Sequence, residues 1–342
     1  VHRDAVQARA PLLVGLGAQP RDRPAQRVAH VLGEDRDVLR VRGPVAHRLD
    51  DDLEVAHRDA LPEQVLEDLL EIAGPHDGGH GLLDQLRRRL AELLEQVVDL
   101  LARQQFVGVL ADLAGDDRYI AGSFSLGCGL FGVGVLRDAG GHDTYEGDTC
   151  VQGAWAFGIG VLLDEDGNDT YRAAVFSQAF GFVMGFGLLD DLSGNDSYYA
   201  GGKYTDEIRY FDHYISLSQG FGFGWRPDAS GGVGMLVDGA GNDVYVSDIF
   251  GQGSSYWFSV GGLVDFSGND QYVSYQYAQG AGTHITVAAL VDYEGDDNYV
   301  SKGVSQGCGH DLAIGILHDL SGDDNYTCHD LSQAAGNANG IG

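Results

Sequence analysis

Residues 238–245 read DGAGNDVY, and close copies of this stretch recur through the chain after residue 111. They are DLAGDDRY from 112, DAGGHDTY from 138, DEDGNDTY from 164, DLSGNDSY from 191, DFSGNDQY from 265, DYEGDDNY from 292 and DLSGDDNY from 319. Successive copies begin 26, 26, 27, 47, 27, 27 and 27 residues apart. A fixed period of this length marks a repeat architecture in which each copy is one coil stacked on the next. A propeller blade needs about 40 residues or more, so a solenoid is the better match. At ~3.3 Å per residue one repeat traces ~90 Å, long for a two-sided roll and suited to a right-handed, three-sided parallel β-helix. Eight coils and part of a ninth are expected over residues 111–342.

The rest of each repeat supplies the other parts of a coil. Seven residues past the tyrosine stands a glutamine in most copies: Gln152, Gln178, Gln252, Gln279, Gln306 and Gln333. The first copy has Leu126 there, and the fourth has Gln219 at 21 residues. A Gly-x-Gly follows, then an apolar run such as VGGLV before the next aspartate. The glycines are expected at corners that need positive φ. Stacking turns each repeated position into a column with a rise of ~4.8 Å. Tyr119, Tyr145, Tyr171, Tyr198, Tyr245, Tyr272, Tyr299 and Tyr326 should stack ring on ring, and the glutamines should bond amide to amide up the stack.

Composition narrows the function classes. The chain has 342 residues and a formal net charge of −30. That charge repels nucleic acid and anionic membranes and favours cations as partners. No run of 18 apolar residues provides a membrane-spanning helix, and VHRDAVQARAPLLVGLGAQP at the start lacks the pattern of a signal peptide. Cys128, Cys150, Cys308 and Cys328 follow no metal-binding or disulfide spacing. Residues 1–110 contain no Ser, Thr, Asn, Lys, Tyr, Trp, Cys or Met. Residues 1–80 therefore read as an atypical extension or a mis-assigned start or frame. In 81–110, Leu86, Leu90, Leu93, Val97 and Leu100 predict an amphipathic helix over residues 82–103 that caps the first coil.

The aspartates carry the chemistry. Two per coil recur as Asp138 and Asp143, Asp164 and Asp169, Asp191 and Asp196, Asp238 and Asp243, Asp265 and Asp270, Asp292 and Asp297, Asp319 and Asp324. Like charges ~4.8 Å apart repel by on the order of 3 kcal/mol per pair at an effective dielectric near 20. Residues 111–342 hold only 7 Lys and Arg against 32 Asp and Glu, too few to compensate. Turn amides or hard divalent cations must hold these carboxylates, and Ca²⁺ suits an all-oxygen site.

GAGNDVYV at 239–246 and GNDTY at 167–171 resemble the haemolysin-type (RTX) calcium-binding nonapeptide, Gly-Gly-x-Gly-x-Asp-x-apolar-x. The resemblance gives Gly241 the third glycine, Asp243 the coordinating role and Tyr245 the inward apolar place. It implies Ca²⁺ held between turns of a parallel β-roll, usually in a secreted bacterial protein. Asp238 stands where that pattern has its first glycine, and the motif occurs once per coil instead of in tandem.

The 47-residue interval predicts two insertion loops, at about 199–217 and 223–231. Solenoids carry such loops on one face, often the binding face. Tyr204, Arg209, Tyr210, Asp212 and His213, with Trp225 and Arg226, suit a carbohydrate there. By register, Tyr256, Trp257 and His310 fall near a pair in which Asp311 stacks beside His284. A carboxylate there raises the imidazole pKa and orients it as a general base. The expectation is a calcium-stabilised solenoid, extracellular or of the cell envelope, that binds polysaccharide or a surface partner. The alternative class is a polysaccharide lyase or glycoside hydrolase of the β-helix type. In register with QGCGHDLAIG, the run AAGNANGIG at the end stops within a coil, which predicts a fragment or an end covered by another subunit.

Overall fold

In the computed structural model residues 107–342 are described, and the segment 1–80 and the helix expected over 82–103 lie outside them. The described residues form a parallel β-solenoid without α-helix. Each coil opens with a strand that ends at or just before the first repeat aspartate. Val107–Ala111, Val133–Arg137, Ile159–Asp164, Phe186–Asp191, Val233–Asp238, Val260–Asp265, Val287–Asp292 and Ile314–Asp319 make one eight-stranded parallel sheet in chain order. The solenoid thus includes Val107, four residues before the expected boundary. A second eight-stranded sheet runs through the repeat tyrosines, from Arg118–Ile120 to Asn325–Thr327. Two shorter lines of parallel pairing complete each coil, one through Ile249, Gln276 and Gly303 and one through Gly222, Ser255, Gly282 and Gly309.

Like pairs with like because every coil repeats the same pattern: Leu236 faces Leu263, Asp238 faces Asp265 and Tyr245 faces Tyr272. The C-terminal residues keep this register, with Gly309 opposite Gly336 and Ile314 opposite Ile341. One hydrophobic cluster of the core is two columns, and another gathers Phe180, Phe221, Ile249 and Phe250. Leu136, Leu162, Leu189, Leu236, Leu263 and Leu290 lie against tyrosine rings from Tyr145 to Tyr299, all but fully buried. Neighbouring tyrosine rings are 4.8–4.9 Å apart and within 4° of parallel, as the sequence predicts. The 47-residue interval does not disturb the column: Tyr198 and Tyr245 stack at 4.8 Å like the rest.

Glycine is needed at two kinds of place. After the glutamine the chain turns a corner with positive φ, as at Gln252 (53°) and Gly253 (69°). At the aspartate turn the limit is space, since a Cβ on Gly241 would lie 1.6 Å from the Gly194 carbonyl oxygen. The glutamine ladder is different from the one expected. From Gln152 to Gln306 each amide nitrogen donates to two backbone carbonyls of the tyrosine sheet, one on its own coil and one on the next: Gln252 bonds Tyr245 and Val273, both at 3.0 Å; Gln333 bonds Tyr326 alone. Positive φ at the glutamine aims the side chain inward at that sheet, so it links coils through the main chain instead of through other amides.

Candidate cation column and insertion face

The aspartate turns place two carboxylate columns inside the solenoid. From Asp138 onward the first aspartate of each coil stands at or just after the end of a long strand, with its side chain inward against the tyrosine of the preceding coil. Tyr145 donates to Asp164 at 2.6 Å, Tyr198 to Asp238 at 2.6 Å and Tyr245 to Asp265 at 2.7 Å. Their other oxygens accept turn amides in Asp138, Asp191 and Asp265, the local arrangement expected of Asx-turns.

The second aspartate is bound differently. Its Oδ1 accepts the main-chain N–H of the equivalent aspartate one coil earlier, from Asp143 N–H to Asp169 at 2.5 Å through to Asp270 N–H to Asp297 at 2.7 Å. Its Oδ2 has no hydrogen-bond partner in Asp143, Asp169, Asp196, Asp243, Asp270 and Asp297. All six residues are at most 2% exposed. An unpartnered buried carboxylate oxygen is costly, and six in register form a feature that the fold alone does not satisfy.

Neighbouring carboxylates converge. Asp143, Asp164 and Asp169 bring ligand atoms within 4.8 Å of one another, and so do Asp169, Asp191 and Asp196, then Asp196, Asp238 and Asp243, then Asp243, Asp265 and Asp270. Oxygens across a Ca²⁺ ion bonded at ~2.4 Å are separated by up to ~5 Å, so the donor type and spacing fit a hard cation. Asp292, Asp297, Asp319 and Asp324 continue the same columns, with Asp324 accepting the Asp297 N–H at 3.0 Å. Burial, the largest cause, pushes the carboxyls up: Asp143 to about 6, Asp169 to about 7, Asp196 to about 8 and Asp243 to about 9.

One column escaped the sequence reading. On the outside of the turn, Asn168, Asn195, Asn242 and Asn269 form a ladder, each Oδ1 accepting the N–H of the next coil at 2.8–3.1 Å. Asp116, His142 and Asp296 play the same part. The signal was present, since every copy has Asp, Asn or His at this place. A shallow groove follows it, lined by Asp116, His142, Asp166, Asn168 and Asn195.

The insertions stand elsewhere. Thr205–Asp206 and Tyr210–Tyr214 form an antiparallel hairpin, which is strapped down along the solenoid. At one end Lys203 meets Asp148 at 2.5 Å; at the other Asp248 takes His213 Nδ1 at 2.8 Å and the Tyr214 N–H at 2.6 Å. The Tyr204 hydroxyl also reaches Asp148, at 3.2 Å. His213 stacks on Tyr275, and Tyr210 meets Tyr275 edge-on at 5.0 Å. Arg209 pairs with buried Asp206 at 2.7 Å and lies over Phe250 and Tyr277. Asp212 is exposed. The second loop closes between Trp225 and Ala229 and lays Arg226 over Trp257 at 5.0 Å.

Register places His284 against Asp311 as expected, with Nδ1 2.5 Å from the carboxylate. The pKa expectation is corrected: burial outweighs the carboxylate and lowers His284, while Asp311 is lowered by the bond from His284. Tyr256 meets His284 edge-on at 5.0 Å, and His310 lies 5.8 Å from His284 and contacts Asn337. A chain of ring contacts, Tyr277 to Phe250 to Tyr256 to His284, joins this corner to the hairpin. The four cysteines are free, and no helix among the described residues is long and apolar enough to cross a membrane. No protein-family model, no curated protein and no solved structure matches this chain.

Proposed function

We propose that this protein is a calcium-loaded β-solenoid whose insertion face binds polysaccharide outside the cell or in the cell envelope. The observation that carries the calcium part is the set of six buried aspartates with an unpartnered Oδ2. None of the ion pairs among the described residues involves them, and a hard divalent ion between coils would supply the missing charge. The RTX-like turn GAGNDVYV supports the choice of calcium, and exterior calcium levels suit sites of modest affinity. The coil path supports a right-handed, three-sided helix. Parallel crossovers are right-handed in nearly all cases, and outside the coil with the first insertion the tyrosine sheet and the short line beside it are separated by only one or two residues, so together they make one side.

Thermal unfolding of the full chain at pH 8 with Ca²⁺ or with EDTA tests the reading. A ligand at 100 times its Kd adds about 2.7 kcal/mol per site, and each kcal/mol moves the midpoint of a chain this size by about 2–4 °C. A clear rise with Ca²⁺ is expected, and equal midpoints would overturn it. A second reading, a polysaccharide lyase or glycoside hydrolase, is favoured only by the His284–Asp311 contact. Release of reducing ends from a glycan, abolished in His284→Ala, would establish it.

A further inference from the structure

We propose that the surface between the two insertions binds an uncharged polysaccharide, laid along the solenoid axis; this rests on the glycan-binding reading above and names its class. Four of the seven Lys and Arg of the described residues, Lys203, Arg209, Arg226 and Lys302, gather here, and each lies over an aromatic ring at 4.8–5.6 Å. Alone they would suggest an acidic ligand. Their partners argue otherwise. Lys203 is held by Asp148 at 2.5 Å, Arg209 by Asp206 at 2.7 Å and Lys302 by Asp330 at 3.9 Å. His213 and His284 each carry an aspartate as well, whereas Arg226 lies over Trp257 at 5.0 Å.

Three of the four cations are therefore already matched by carboxylates, on a solenoid with 7 basic against 32 acidic residues. A polyanion would meet like charges at every step, which costs several kcal/mol at contact distance. An uncharged sugar meets no such barrier, and its hydroxyls suit paired Asp and Arg groups that both accept and donate. Half-buried Tyr256 and Tyr277 supply apolar ring surface between the two arginine-bearing loops.

The same geometry favours a polymer. Successive coils advance by the 4.8 Å that separates the rings of buried Phe250 and half-buried Tyr277, a step comparable to one pyranose unit. Partly exposed Tyr256 and His310 lie in register along the axis, on either side of buried Thr283. A chain of sugars can repeat its contacts coil by coil.

Native affinity electrophoresis of the full chain in calcium-containing buffer tests this. The gels hold soluble neutral glucan, mannan or xylan, or acidic hyaluronate or heparin. Retardation by a neutral polymer and by neither acidic one is expected. Retardation by the acidic polymers alone would overturn the class yet leave a glycan-binding protein. No retardation by any would overturn both. Arg226→Ala and Trp257→Ala should each weaken binding about tenfold, the scale of an interfacial Arg or Trp, with the calcium-loaded unfolding midpoint kept. Unchanged binding in both variants and in Tyr277→Ala would place the site elsewhere and sink the proposal.

Discussion

At the scale of single residues, the second aspartate of each turn decides how the solenoid responds to its medium. In the unfolded chain an aspartate titrates near 3.9, whereas Asp243 in the metal-free fold titrates at about 9 and Asp270 at about 7, with burial the largest cause. The native state then holds protons that the unfolded state releases. That contribution is complete below pH ~4 and is lost as pH rises through the folded values. In EDTA the melting midpoint should fall from pH 6 to pH 9, and a midpoint that climbs over this range would contradict the buried column. Replacing Asp243 and Asp270 together by Asn removes two buried carboxyls that burial makes hard to ionise, each costing roughly 1–3 kcal/mol when unsatisfied. The double variant should melt higher in EDTA at pH 8 and gain less from Ca²⁺. The sequence displayed these aspartates plainly through their period. It concealed the tyrosine hydroxyls that hold half of them, because an inward Tyr and an inward Phe leave the same pattern.

At the scale of the turn and the strand, close backbone approach sets what can be changed. A Cβ on Gly241 would collide with the Gly194 carbonyl, while one on Gly108 meets nothing within 4 Å. Gly241→Ala should therefore cost at least ~3 kcal/mol, near the upper end for single substitutions, and Gly108→Ala almost nothing. Urea unfolding in Ca²⁺ measures both, and equal effects would refute the steric account. The hairpin is an element of another kind, tied at Asp248 to His213 and the Tyr214 N–H. Asp248→Ala should speed amide exchange in residues 205–214 and leave the tyrosine sheet protected, since local openings need not involve the core. Uniform exchange across the chain would show that the hairpin is part of the main fold. The sequence marked the length and place of this insertion, but not its pairing. Antiparallel partners inside a parallel solenoid follow no period, and the anchors Asp148 and Asp248 lie outside it.

At the scale of the whole molecule, period, stacking rise and strand register were all legible, because a repeated coil has one solution and the sequence states it eight times. The surface proposed to bind a glycan was legible only as a break in that period. Its charge balance depends on pairs such as Lys203 with Asp148, 55 residues apart in the chain. The unbroken stack of Tyr198 on Tyr245 across the 47-residue interval has a consequence for how such a protein changes over generations. The rung holds its place whether 7 residues or 21 separate its tyrosine from its glutamine. Scaffold and tool are thus separately inheritable: a mutation that lengthens one gap alters what the surface can hold without asking the frame to refold. The gap between Tyr245 and Gln252 is an equivalent socket, and a hairpin copied into it would lie one coil further along the same face.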